Sequence, residues 1–164
     1  MSSATLNTFF IIGAVGALAL ALHLYLLSEP PSAQFAHVEI AGETFRLEIA
    51  ATREKRFRGL SGRESLPVNA GMLFVYPQPQ ALNFCMRQCL IDIDLLYLDP
   101  DGAIVSMAEM KRDLVGELPK TYSSTAPAMY ALELRAGTIQ RLNLKQGMSV
   151  LLRNVPPPHT AEYD

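Results

Sequence analysis

The chain has 164 residues, 14 basic and 16 acidic side chains, and a formal net charge of −2. That length suits one domain plus an appendage, and the mild acidity excludes a general attraction to nucleic acid. Hydrophobic residues reach 49% and charged residues only 18%, which is lean for a wholly soluble domain and points to a concentrated apolar segment.

That segment is at the start. Residues 1–28 contain no Asp, Glu, Lys or Arg, and from residue 9 to residue 27 only His23 and Tyr25 break an apolar or Gly run. As a helix it would span roughly 28 Å, close to the hydrocarbon thickness of a bilayer. A cleaved signal would want a basic n-region and a shorter apolar core, and a buried core helix is rarely apolar on every face. The reading is therefore an uncleaved single-pass anchor over residues 1–28, holding the remainder at a membrane through residues 9–27. Tyr25 and His23 suit the interface. The expected location of the domain is extracytoplasmic, periplasmic in a bacterium. Residues 29–35 form a linker stiffened by Pro30 and Pro31.

Residues 37–49 alternate apolar and polar side chains around Ala41 and Gly42, which predicts a hairpin. Residues 52–64 predict a short helix behind a Thr52 N-cap, ended by Gly59 and Gly62. Its basic residues include Arg58 and Arg63, which such a turn would present as an anion-binding pair; the plainer reading is a solvated face. Residues 71–76 read as a buried strand stopped by Pro77 and Pro79. Strands follow at residues 81–86 and 92–98. The Asp99-Pro100-Asp101-Gly102 turn leads into another at residues 103–110. Residues 111–127 show no periodicity and read as a flap or mobile loop. Residues 129–134 and 148–152 predict strands, and residues 136–144 a short helix. Residues 155–164, with three consecutive prolines, read as a disordered tail. The fold class is mainly β: a compact, mostly antiparallel β-sandwich or partly closed barrel with two short helices, plus the N-terminal transmembrane helix. The domain spans residues 36–154.

The ordered blocks Arg58-Gly59-Leu60, Gly62-Arg63, residues 71–75, residues 84–87, residues 90–94 and residues 130–137 resemble the DUF192 (UPF0127) family. The resemblance covers about residues 38–154. It implies a β-rich, sandwich-like fold, frequently exported or anchored, and carries neither an established biochemical function nor catalytic residues. Cys85, Arg87 and Gln88-Cys89 stand where the family usually has Trp, Lys and Asn-Thr. If those positions line a site, this one has a smaller, thiol-lined wall.

The chemistry available is limited. Cys85 and Cys89 would lie roughly 13 Å apart in extended chain, so a disulfide needs a turn between them, for which Gln88 is suited. A Cys nucleophile needs a His, and His23, His37 and His159 are poorly placed for it. Asp92 and Asp94 fall on one strand face about 7 Å apart, a spacing that paired-carboxylate catalysis uses, though one partnered and one solvent-facing acid is the commoner outcome. Two cysteines without a second Cys or His pair lack the ligands of structural zinc, so no metal site and no cofactor are expected. The leading reading is a binding module in which Arg58, Arg63 and Arg87, beside Asp94 and Glu133, line a polar pocket for a carboxylate- or hydroxyl-bearing ligand, or meet a protein partner. The alternatives are mutual charge pairing that only braces the fold, an enzyme using Asp92 and Asp94 or the thiols, and a scaffold within a membrane complex.

Overall fold

The alternating and continuous apolar runs build nine strands and two short helices in the computed structural model, which describes residues 35–113 and 118–157. Strand β1 (Phe35–Ile40) and β2 (Glu43–Ala50) form the expected hairpin, with Ala41 and Gly42 both at positive φ as a two-residue turn of matching twist requires. Helix α1 (Arg53–Arg58) crosses to β3 (Ala70–Gln80), which pairs parallel to β2. Then come β4 (Asn83–Cys85), β5 (Ile93–Leu98), β6 (Ile104–Met110), β7 (Thr121–Ser123), β8 (Ala128–Arg135), α2 (Thr138–Arg141) and β9 (Val150–Arg153). Every other pairing among the described strands is antiparallel.

Seven strands form one curled sheet in the order β6-β5-β8-β3-β2-β1-β9, and β4 and β7 form a separate ribbon. The outer strands meet at one end. Ala103 bridges Ser149, and Ile104 donates to the Met148 carbonyl at 2.9 Å. The result is a half-barrel rather than two stacked sheets. Its concave core holds Val38, Phe45, Leu47, Leu73, Leu96, Leu132 and Val150. The period-2 alternation of β3, β5 and β8 sends Phe74, Leu95, Tyr97 and Ala131 to a second core on the opposite face. The β4–β7 ribbon covers that second face. Phe84 meets Phe74 edge-on at 4.8 Å, and the Tyr97 hydroxyl donates to the Tyr122 carbonyl at 2.7 Å.

Pro77 and Pro79 do not end β3. They sit where its register with β8 slips, between the Val75–Tyr130 and Gln80–Ala128 pairs, so no ladder hydrogen bond is asked of them. The stretch 111–127 is not plain loop: β7 lies within it. The helix expected over residues 136–144 shortens to α2, followed by Asn143 at φ 49°. Val155, placed in the tail, packs on the concave core. The expected transmembrane run at residues 9–27 lies outside the described residues, as does most of the tail. Among the described residues no helix is long and apolar enough to cross a membrane.

Asp94 has a structural post. It is buried, and its Oδ2 accepts the Ile139 N–H at 2.7 Å, so it satisfies the first turn of α2. Burial raises its pKa and the backbone amides of residues 137–139 oppose that rise. Asp94→Ala should cost about 2–4 kcal/mol, because buried amides lose their acceptor. Urea unfolding would read this; a loss below 0.5 kcal/mol would show that α2 does not depend on the carboxylate.

Candidate functional site

Thr52 caps α1 by accepting the Lys55 N–H, and Gly59 ends the helix at φ 50°. The chain beyond is tied to the turn after β4. Ser61 Oγ donates to the Arg87 carbonyl at 3.1 Å, the Gly62 N–H to the Gln88 carbonyl at 2.9 Å, and Arg87 Nη2 to the Phe57 carbonyl at 3.3 Å. The Arg87 guanidinium also lies over the Phe57 ring, 3.9 Å from its centroid. The turn itself is closed by Cys89 N–H to the Met86 carbonyl, with Gln88 at φ 55°.

Between these two segments and β3 lies a concavity of about 290 Å³. Phe57, Phe74, Tyr76 and Phe84 supply its aromatic lining, Arg56, Arg58 and Arg87 its cations, and Cys85, Cys89 and Asn83 the rest of a polar wall. Arg56 is locked in place: it donates to the Ala51 and Val75 carbonyls at 2.5 and 3.0 Å and packs over the Tyr76 ring. Arg58 pairs with Glu54 at 3.1 Å, but both side chains are largely exposed, so the pair holds Arg58 weakly.

Glu133 also lines this concavity. It occupies an inward position of β8, where the alternation would put an apolar residue, and is 4% exposed. The Leu60 amide donates to the carboxylate, yet Oε2 has no hydrogen-bond partner among the described residues. It is the only buried side-chain oxygen or nitrogen among them in that position. Gly59 packs beside it without a side chain: a Cβ there would stand 3.6 Å from Oε2 and 3.5 Å from the Phe74 ring, in ordinary contact with both. Burial pushes the Glu133 carboxyl up to about 8, against the opposing pull of the Leu60 amide and Arg63.

The residues singled out from sequence separate into groups. Arg58, Arg87 and Glu133 converge on this concavity. Arg63 turns to the next one, of about 230 Å³, where it pairs with Glu48 at 2.6 Å; Arg58 and Gly59 border both. Asp94 lies under α2, away from the site. Asp92 precedes β5 and binds Lys111 Nζ at 3.2 Å and the Arg112 N–H at 3.0 Å, which lowers its pKa. The two aspartates therefore serve separate partners rather than one paired-carboxylate centre. Cys85 and Cys89 are free thiols that line the same wall. Burial, then the charges of Glu133 and Cys85, raise Cys89 to about 11, the reverse of an activated nucleophile. No group of three or more His, Cys, Asp or Glu among the described residues could hold a metal ion. Tyr76 and Phe57 escaped the sequence reading, because an aromatic flanking a strand or helix is indistinguishable from packing until its neighbours are placed.

A larger, more open groove of about 770 Å³ runs past Leu66, Asp92, Arg112 and Arg135. It contains no buried polar atom lacking a partner. The smaller concavity is the candidate site for that reason.

Residues 36–152 match the family DUF192, described as "Uncharacterized ACR". The chain belongs to the DUF192 family. No functionally curated protein matches it. Two crystal structures are similar. One, from Sinorhizobium meliloti 1021, is described as a "putative transcription regulator"; it shares 23% identity at a TM-score of 0.67, covering 78% of this chain and all of that one. The other, a protein of unknown function from Novosphingobium aromaticivorans DSM 12444, shares 28% identity at a TM-score of 0.62, covering 71% of this chain and 83% of that one. The first likeness shows the DUF192 fold alone, and neither assigns a ligand to the concavity.

Proposed function

We propose that this DUF192 domain binds a small organic anion in the concavity above Glu133, and that residues 9–27 tether it to a membrane with the domain on the extracytoplasmic side. The observation that carries the binding reading is the convergence of Arg58 and Arg87 on an aromatic-lined concavity of about 290 Å³, near the lower end of small-molecule sites. Arg87 is aimed by its bond to the Phe57 carbonyl and by the Phe57 ring, and a guanidinium carries five donors, so a fixed Arg can still take a carboxylate. The aromatic walls suit the carbon skeleton of such a ligand. The membrane reading is supported by the charge-free apolar run of residues 9–27.

Calorimetric titration of the full chain in detergent with a panel of small carboxylates tests the binding reading. Arg87→Ala should weaken any binder about 10–100-fold, the worth of a hydrogen bond between charged groups. A panel with no binder, or binding indifferent to both Arg87→Ala and Arg58→Ala, would remove this reading. For the tether, deletion of residues 1–34 should move the protein from the membrane to the soluble fraction of cells. Retention in the membrane fraction would count decisively against the anchor.

A further inference from the structure

We infer that the end of the ligand reaching Glu133 carries a hydroxyl group, so that the site takes small hydroxy acids rather than simple carboxylates. This rests on the binding reading above and names its ligand class. Three observations carry it. Glu133 is almost wholly buried, its Oε2 has no partner among the described residues, and the residue lines the concavity beside Gly59, where an added Cβ would stand 3.6 Å from Oε2. A buried polar atom without a partner carries a desolvation penalty that a ligand group of the right kind relieves.

The kind of group follows from the surroundings. A methyl or methylene would leave Oε2 unpaired. An ammonium can only donate, so it satisfies the ionised carboxylate alone, and it would have to pass Arg56, Arg58 and Arg87. A hydroxyl donates and accepts. It pairs with the carboxyl whether that group is protonated or ionised, and it adds no charge beside the arginines. Burial favours the protonated form of Glu133 at neutral pH, whose O–H then needs an acceptor. The anionic end of the same molecule is left for Arg87 and Arg58. Sites built around a hydroxyl discriminate strongly against the analogue that lacks it, because their own polar group is left unpaired.

Titration of the full chain with butyrate, 3-hydroxybutyrate and 3-aminobutyrate, and with succinate against malate, tests the inference. Within each pair the hydroxy acid should bind about 10–100-fold tighter than its deoxy partner, and tighter than the amino acid. Glu133→Leu, of similar volume, should abolish that preference while leaving Arg87-dependent binding of the acids. Glu133→Gln, which keeps a donor and an acceptor, should retain part of it and guards against a Leu variant that fails to fold. Equal, Arg87-dependent affinity for hydroxy and deoxy acids would overturn the hydroxyl assignment while leaving anion binding intact. A tighter amino analogue, or a hydroxyl preference that survives Glu133→Leu, would overturn it too. No binding of any acid would take both readings down together.

Discussion

Alanine at position 71 should unfold the domain or cost it several kcal/mol. Gly71 sits in β3 opposite Leu134 of β8. A Cβ there would stand 2.2 Å from the Glu133 carbonyl oxygen, with the Leu47 and Leu134 side chains at 3.0 and 3.2 Å. A backbone oxygen inside a paired strand cannot swing aside as a side chain can. The two central strands would have to part, beside both cores and beneath Glu133. Overpacking of this kind typically costs about 1–3 kcal/mol and exceeds that where backbone must move. Gly62→Ala is the matched control. Its φ is 76° but no atom lies within 4 Å of the added carbon, so it should cost only about 1 kcal/mol of backbone strain. Thermal and urea melts of the two variants read the difference. Equal losses would mean that the β3–β8 approach is not what selects glycine at position 71.

That contact explains why the GMLFV block begins with glycine, and such detail sets the limit of what sequence shows. The strands were largely legible because their periodicity is local: residues 37–49 and 92–110 announce two hairpins and their turns. The curl into a half-barrel was less so, since it depends on Gly102 and Ala103 meeting residues 148–150, a contact across some 45 positions. Glu133 was legible as a charge that a polar pocket could use, but not as a carboxylate buried with an unpartnered oxygen. Arg58 and Arg87 were legible as charges in glycine- or cysteine-marked turns. Their meeting was not, because it rests on the hydrogen bonds that join residues 57–62 to residues 86–88. Arg63 and Asp94 carried the same compositional signal and went to Glu48 and α2 instead. Composition marks a group that needs a partner; only the fold decides which partner it finds.

Glu133 has a consequence for stability that does not depend on any ligand. An exposed Glu titrates near 4.5, whereas burial raises this one to about 8 in the folded chain. Between those values the folded protein keeps a proton that the unfolded chain has released. The stability associated with that proton is complete below about pH 4.5, falls as pH rises through the interval, and changes no further above about pH 8. The slope is about 1.4 kcal/mol per pH unit, on the order of 5 kcal/mol in all, large beside the 5–15 kcal/mol typical of a whole domain. Arg63 and the Leu60 amide already oppose the rise, so removing Arg63 should carry the loss on to higher pH. Glu133→Gln keeps the shape and cannot ionise. Urea midpoints of the full chain between pH 5 and pH 9 should fall for the natural protein and stay nearly flat for Glu133→Gln, the variant becoming the more stable of the two by pH 8. Parallel curves would mean that Glu133 ionises in the folded state without penalty. Its unpartnered oxygen would then be solvated, and the case for a ligand hydroxyl above it would weaken with it.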